Sequence, residues 1–279
     1  MFTAVERWQT LIDARAHQMD AAYARLGRTS ADFWDRRARG FHRATRDTIA
    51  SDPFYLRVCN EVTPQTSVLD VGAGTGRFTL GLAPQARQII AVEPNVTMLD
   101  YLRRDANEQK LTNISYAQTT WQDAPKDLQA DIVICSHVLY PIRDIVPFLA
   151  KLQAATRRTC YIYLRTTPMD SLTAHIWRHF HGDERCLPPG CIHALDILFE
   201  MHIYANLEIV THSPSLRYPS VDAAVEELLE QLILPDDQHT RDELHVLVEK
   251  WLVLRDGFLV PPVEKTVSGI IWWNVDHAL

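Results

Sequence analysis

Glycine is scarce in this chain, with only 10 among 279 residues, and three of the 10 stand at Gly72, Gly74 and Gly76. Long apolar runs are missing too: none approaches the roughly 20 residues that a membrane-spanning helix requires, so no membrane partner is expected. The five cysteines are odd in number and scattered from Cys59 to Cys191, which excludes a disulfide framework and points to a reducing compartment. The start, Met1-Phe2-Thr3-Ala4-Val5-Glu6-Arg7, lacks a basic-then-apolar signal pattern, so the cytoplasm is the expected location. Positive charge is in deficit, 28 Lys and Arg against 35 Asp and Glu, and the basic residues are thinly spread. A tight electrostatic grip on nucleic acid is therefore not expected. What remains, at 47% hydrophobic and 23% charged, is an ordinary globular composition without internal repeats or low-complexity tracts.

The first 62 residues read as helical. Val5, Trp8, Ile12, Met19, Tyr23 and Leu26 recur at three- and four-residue steps, and Gly27 is a stop. Ser30 is a cap for a second helix through Phe33, Trp34 and Phe41, and Asp52-Pro53 starts a third, with proline where its missing N–H costs nothing. From Ser67 short apolar runs alternate with helical stretches. The runs are 68–71, 88–92, 114–117, 131–134 and 160–164; the clearest helical segments are Thr97–Gln109 and Asp144–Thr156. This alternation predicts right-handed βαβ units and a doubly wound α/β fold, its mostly parallel sheet covered by helices on both faces. After Thr167 the rhythm breaks. Helical insertions are expected at about 168–206 and 219–260, the latter with Ser220 and a Thr240-Arg241-Asp242-Glu243 capping box as helix starts. Further strands are expected at Leu207–His212 and Val267–Trp273. Two domains follow from this reading: a helical N-terminal lid, 1–62, and a Rossmann-like domain, 63–279.

The run Val68-Leu69-Asp70-Val71-Gly72-Ala73-Gly74-Thr75-Gly76-Arg77 is a buried strand, a glycine turn and a helix start. Glycines there permit positive φ and close approach of backbone to a ligand. A dinucleotide fingerprint would place its third glycine at position 77, which is Arg77. About 20 residues on, the next strand ends in Val92-Glu93-Pro94, where a carboxylate can accept hydrogen bonds from both ribose hydroxyls of a nucleoside.

These residues resemble the class I S-adenosylmethionine-dependent methyltransferases. The resemblance runs from about Ser67 to Thr167 and rests on Val68-Leu69-Asp70-Val71-Gly72-Ala73-Gly74-Thr75-Gly76, on Ala91-Val92-Glu93-Pro94 and on the fourth strand, Ala130 to Leu139. It implies a seven-stranded sheet and S-adenosylmethionine as cofactor. By the same resemblance Asp70 and the backbone of Gly72, Ala73, Gly74 and Gly76 would surround the methionine part. Glu93 would hold the ribose, with Pro94 and Asn95 beside the adenine. The turn after strand three reads Thr119-Thr120-Trp121-Gln122-Asp123, so the family's usual Asp is displaced and Thr120 or Trp121 stands in its place. Ser136 and His137, at the tip of strand four, would lie near the methyl group.

Methyl transfer from a sulfonium is an in-line displacement that positioning accelerates greatly, and a base is needed only for a protonated nucleophile. His137 is the leading candidate for that base and Tyr140 the second. Trp34 is placed to meet the sulfonium through its ring, or else belongs to a helix's core face. A second cluster, His175, His179, His181, Cys186, Cys191 and His193, falls within 19 residues. His175 and His179 have a metal-ligand spacing, but the cysteine spacing matches no tight zinc pair, so no metal is expected. A substrate pocket and an ordinary helix–loop–helix remain the other readings of that segment. Strand four lacks the Asn/Asp-Pro-Pro-Tyr pattern of amino-methylating nucleic-acid enzymes, and no Pro-Cys dipeptide exists to attack cytosine. The expected activity is methylation of an O, N or S atom of a small molecule. The alternatives are a non-catalytic cofactor- or metal-binding protein on the same fold and an NAD-dependent oxidoreductase, and the oligomeric state is left open.

Overall fold

The computed structural model describes residues 3–29, 49–166, 168–212, 214 and 216–275. Helix α1 spans Ala4–Arg25 and opens with a reciprocal cap. The Thr3 side chain accepts the Glu6 N–H while the Glu6 carboxylate accepts the Thr3 N–H. It ends where Gly27 takes φ +64°. The expected second helix, with Ser30, Phe33, Trp34 and Phe41, lies outside the described residues. Helix α2 (Pro53–Cys59) begins as the Asp52-Pro53 pair predicts, with Asp52 accepting the N–H groups of Phe54 and Tyr55.

Strands β1 (Ser67–Val71), β2 (Gln88–Val92), β3 (Ile114–Ala117), β4 (Ala130–Ser136) and β5 (Thr156–Arg165) alternate with helices α3 (Arg77–Leu82), α4 (Val96–Glu108) and α5 (Ile145–Ala155). Helices α6 (Ala174–His181) and α7 (Cys191–Glu200) follow, then β6 (Asn206–His212), α8 (Val221–Gln231) and α9 (Gln238–Trp251). A hairpin of β7 (Val253–Arg255) and β8 (Phe258–Val260) precedes the last strand, β9 (Thr266–Asn274). The seven-stranded sheet has the order β3-β2-β1-β4-β5-β9-β6. Strands β1 to β5 pair in parallel, and β9 runs antiparallel between β5 and β6. The fold is the doubly wound, Rossmann-like one that the strand–helix alternation predicts.

Two details differ from expectation. The insertion after 219 is not helical to 260: Asp256 and Gly257 both take positive φ, 49° and 77°, which closes a tight hairpin between β7 and β8. Helix α9 starts two residues before Thr240, because Asp237 is its cap and accepts the Thr240 N–H at 2.9 Å. Thr240 sits in the first turn.

Alternation along β5 sorts its side chains between two cores. Cys160, Ile162 and Leu164 face a core shared with α5, α7 and the front half of α1, including Trp8 and Ile12. Tyr161 and Tyr163 face α2 and α3, where Phe54 stacks on Tyr163 at 4.7 Å between ring centroids. The rear half of α1 (Met19, Ala22, Tyr23) enters a third core with α6, α8 and α9. Arg15 bonds Asp170 at 2.9 Å, and the Gln18 side chain accepts the Cys186 N–H at 2.8 Å, so the segment after β5 is fastened to α1. Trp8 is fully buried and its indole N–H donates to the Ile142 carbonyl at 2.7 Å. Trp8→Ala is expected to cost about 3–5 kcal/mol in chemical denaturation, for the cavity and for the abandoned carbonyl.

Candidate active site

The carboxyl ends of β1, β2, β4, β5 and β6 lie along one edge of the sheet, and of the residues singled out by the sequence Asp70, the glycine turn, Glu93, Ser136, His137 and Tyr140 stand at those ends. Beyond β1 the chain turns through Gly72, Gly74 and Gly76, with φ of +74°, +56° and +89°. A Cβ at Gly72 would stand 2.3 Å from Val138, and one at Gly76 2.2 Å from Leu102, so side chains are excluded by space as well as by conformation.

Glu93, just past β2, is 7% exposed and fastens this turn. One carboxylate oxygen accepts the Gly74 N–H at 2.9 Å and the other the Asn95 N–H at 2.8 Å. Burial raises its pKa while the two N–H groups oppose the shift. Each oxygen keeps acceptor capacity for one more donor. Asp70, 2% exposed, accepts the Thr79 hydroxyl at 2.6 Å. Burial pushes its carboxyl up to about 7, with the Thr79 bond working against that and the Glu93 charge adding to it. Ala73 is buried, Pro94 is exposed, and Asn95 caps α4 through the Met98 N–H.

After β3 the side chains turn inward. Thr120 exchanges hydrogen bonds with Asp123, donating to its carboxylate at 2.7 Å and accepting its N–H at 3.2 Å. Trp121 is buried in the core and gives its indole N–H to the Phe148 carbonyl at 3.3 Å. Lys151 ties the same turn down by donating to the carbonyls of Trp121, Gln122 and Ala124. The Trp121 indole N–H is thus committed to the protein.

At the tip of β4, Ser136 is half-buried and pairs in register with Tyr163. His137 follows with φ +58°, and its N–H donates to the Tyr163 carbonyl at 2.8 Å. His137 Nδ1 and the Tyr140 hydroxyl are 2.9 Å apart, and that hydroxyl accepts the Arg165 N–H at 3.0 Å. Burial, then the charges of Arg165, Arg77 and His212, hold His137 well below the usual imidazole range. Burial pushes Tyr140 up to about 12.

The structure adds residues that sequence reasoning missed. Arg77 pairs with Asp52 at 2.8 Å, and Arg165 lies near enough to sense both. The Tyr163 hydroxyl bonds Ser268, whose Oγ lies 2.8 Å from His212 Nε2, while Thr266 Oγ1 lies 3.0 Å from Nδ1. Period-two spacing of Tyr161, Tyr163 and Arg165 put these on one face, but their meeting with His212 and Ser268 required the pairing of β6 and β9. Trp34 lies outside the described residues. The histidine–cysteine segment disperses: His179 bonds Glu243, His181 bonds the Leu232 carbonyl, and His193 accepts the Gly190 N–H. Among the described residues no three His, Cys, Asp or Glu side chains group to hold a metal. No helix among them is long and apolar enough to cross a membrane.

Comparison with known proteins agrees with this arrangement. Residues 68–159 match the family described as "Methyltransferase domain". An uncharacterized protein of Haemophilus influenzae is 26% identical over 237 residues, covering 80% of this chain and 81% of that protein. A probable ribosomal RNA small subunit methyltransferase A of Methanosphaera stadtmanae is 32% identical over 89 residues, covering 32% of each. Among solved structures, YcgJ of Bacillus subtilis superposes with a TM-score of 0.54 at 15% identity, over 80% of this chain and 98% of that one. Magnesium protoporphyrin IX methyltransferase of Synechocystis, with bound S-adenosylhomocysteine, gives 0.51 at 12% identity, over 87% and 94%. The chain thus carries a methyltransferase domain over residues 68–159, on a fold it shares with these solved methyltransferases, and S-adenosylmethionine is the cofactor that this domain implies.

The Asp70 environment makes a prediction for the ligand-free protein. Between the ordinary carboxyl value of 3.8 and about 7 the native state holds a proton that the unfolded chain has lost. Asp70 therefore favours folding most at low pH, and its contribution is lost as pH rises through about 7. Melts of wild type and Asp70→Asn across that range should diverge, the variant gaining relative stability as pH increases.

Proposed function

We propose that this chain transfers the methyl group of S-adenosylmethionine to an O, N or S atom of a small molecule in the cytoplasm. The observation that carries the reading is the Glu93 carboxylate, clamped by the N–H groups of Gly74 and Asn95 beside a turn of three left-handed glycines.

The residues present fit the cofactor. Glu93 retains one acceptor position on each oxygen, matched to two ribose hydroxyls. Asp70 and the backbone of Gly72, Ala73, Gly74 and Gly76 stand where the methionine end would lie. Pro94 and the 120–121 turn would flank the adenine, the turn through its backbone because the Trp121 side chain is buried in the core. Ser136, His137 and Tyr140 occupy the tip of β4 beside which the acceptor would sit, and Trp34 is a further candidate for the sulfonium. When bound, the cofactor supplies a methyl group on a positively charged sulfur. The chain's contribution is alignment of the two reactants and exclusion of water, worth several kcal/mol of the order that positioning provides.

The net charge of −7 favours a small acceptor over nucleic acid, although several relatives are named ribosomal RNA methyltransferases. Incubation with methyl-labelled cofactor and cell extract decides between them. Label is expected in the small-molecule fraction; label on RNA or protein would overturn the acceptor class. Glu93→Ala should weaken S-adenosylhomocysteine binding by about 1–3 kcal/mol in calorimetry, through loss of charge-assisted hydrogen bonds. Unchanged affinity would remove Glu93 from the cofactor site.

A further inference from the structure

The bonding at the tip of β4 leaves little freedom for protons. The Tyr140 hydroxyl has one hydrogen to donate. Among the described residues it has two hydrogen-bond partners, the Arg165 N–H and His137 Nδ1. The Arg165 N–H can only donate, so the hydroxyl accepts there. If His137 Nδ1 also carried a proton, the hydroxyl would accept from both sides, and its own hydrogen would be buried without an acceptor. A buried donor stranded in this way keeps the full cost of its desolvation with no bond to offset it. Placing the hydroxyl hydrogen on the Nδ1 lone pair satisfies every group, and the ring proton then resides on Nε2. That Nε2 has no protein partner among the described residues.

We infer that Tyr140 fixes neutral His137 with its proton on Nε2, so that His137 serves the acceptor as a hydrogen-bond donor and seats a carboxylate of the acceptor molecule. This rests on the methyltransferase reading of the site. It replaces the expectation of a histidine base, because the one lone pair of the ring is taken by Tyr140. A carboxylate is the partner of choice for two reasons. An N–H binds an oxygen with lone pairs, and charge-assisted hydrogen bonds to an anion are the stronger kind. The groups facing His137 are Arg165, Arg77, His212, Tyr140 and Tyr163, and the two guanidiniums that depress its pKa would favour an anion at the same place. Asp52, the carboxylate of this edge, is bonded to Arg77 and to the first N–H groups of α2. Tyr140 is thus a positioning residue, acting through His137.

The test uses the full chain, ring-labelled with nitrogen-15 and saturated with S-adenosylhomocysteine. A long-range proton–nitrogen spectrum distinguishes the two ring nitrogens, and His137→Gln assigns the signal by its disappearance. His137 is expected to show a protonated Nε2 and a bare Nδ1. Tyr140→Phe should shift the proton population toward Nδ1, a change that a merely structural tyrosine would not produce. A wild-type ring protonated on Nδ1 overturns the inference without reference to any variant. Benzoate is then titrated against benzamide, its neutral counterpart. Benzoate should move the His137 Nε2–H resonance and bind about tenfold more tightly, a difference of about 1.4 kcal/mol. Equal responses, or none to benzoate, overturn the carboxylate assignment. Failure here is distinct from failure of the proposed function, which would appear as absent S-adenosylhomocysteine binding and absent methyl transfer.

Discussion

A single carboxylate joins the two loops on which the site depends. Glu93 takes one N–H from the glycine turn after β1 and another from the start of α4, so the tips of two adjacent parallel strands are held at a fixed separation. Parallel pairing aligns the carboxyl ends of β1 and β2 but leaves the loops beyond them free to choose a path. Gly72, Gly74 and Gly76 allow the first loop to turn back through left-handed conformations, and Glu93 selects the turn in which Gly74 N–H points at it. Because that carboxylate is buried, each of its hydrogen bonds is stronger than it would be in water. Asp70's own burial pushes its carboxyl up to about 7. Two enclosed carboxyl groups, Asp70 and Glu93, therefore lie side by side at the tips of β1 and β2.

A second group of hydrogen-bonded side chains is organised on the other half of the sheet. There β4 and β5 place His137, Tyr140 and Arg165 in one chain of hydrogen bonds, and β9 inserts antiparallel to bring Ser268 between Tyr163 and His212. Aromatic packing of Phe54 on Tyr163 closes the floor beneath them. The helices added after β5 do not take part in this network. Of these, α7 packs in the core under β5, while α6, α8 and α9 build a separate core with the rear half of α1, where Arg15, Asp170 and Arg185 tie the segment after β5 to the first helix. The chain thus spends its additions on fixing its own front end against the sheet.

Much of this was legible in the linear order of residues. Val68 to Val71 and Gln88 to Val92 are apolar runs too short for helices, and a scarce residue concentrated at positions 72, 74 and 76 announces a turn that only glycine can make. Asp52-Pro53 and Ser220 mark their helices because a side-chain acceptor beside a free N–H is a local event. The hairpin at Asp256-Gly257 is equally local, but the apolar Val253, Leu254, Phe258 and Leu259 around it suit a helix end as well as a strand. Thr240 gave a capping pattern, but Asp237 competed for the same role and prevailed by accepting the Thr240 N–H.

What the sequence determined by itself follows from short-range physics: the alternation of strands and helices, the glycine turn, and the acid at the end of the next strand. These depend on the conformational freedom of one residue, on side-chain period, and on spacing along the chain. What the tertiary structure decided is which distant groups meet. Trp121 went to the core because Phe148 offered its indole a carbonyl, and the histidine–cysteine cluster dispersed because helices α6 and α7 turn its members toward different neighbours. The His137–Tyr140 pair meets the N–H of an arginine 28 residues on from His137 only when β4 and β5 pair. Hydrogen-bond direction is set by the partner across the sheet, and no pattern along the chain encodes it.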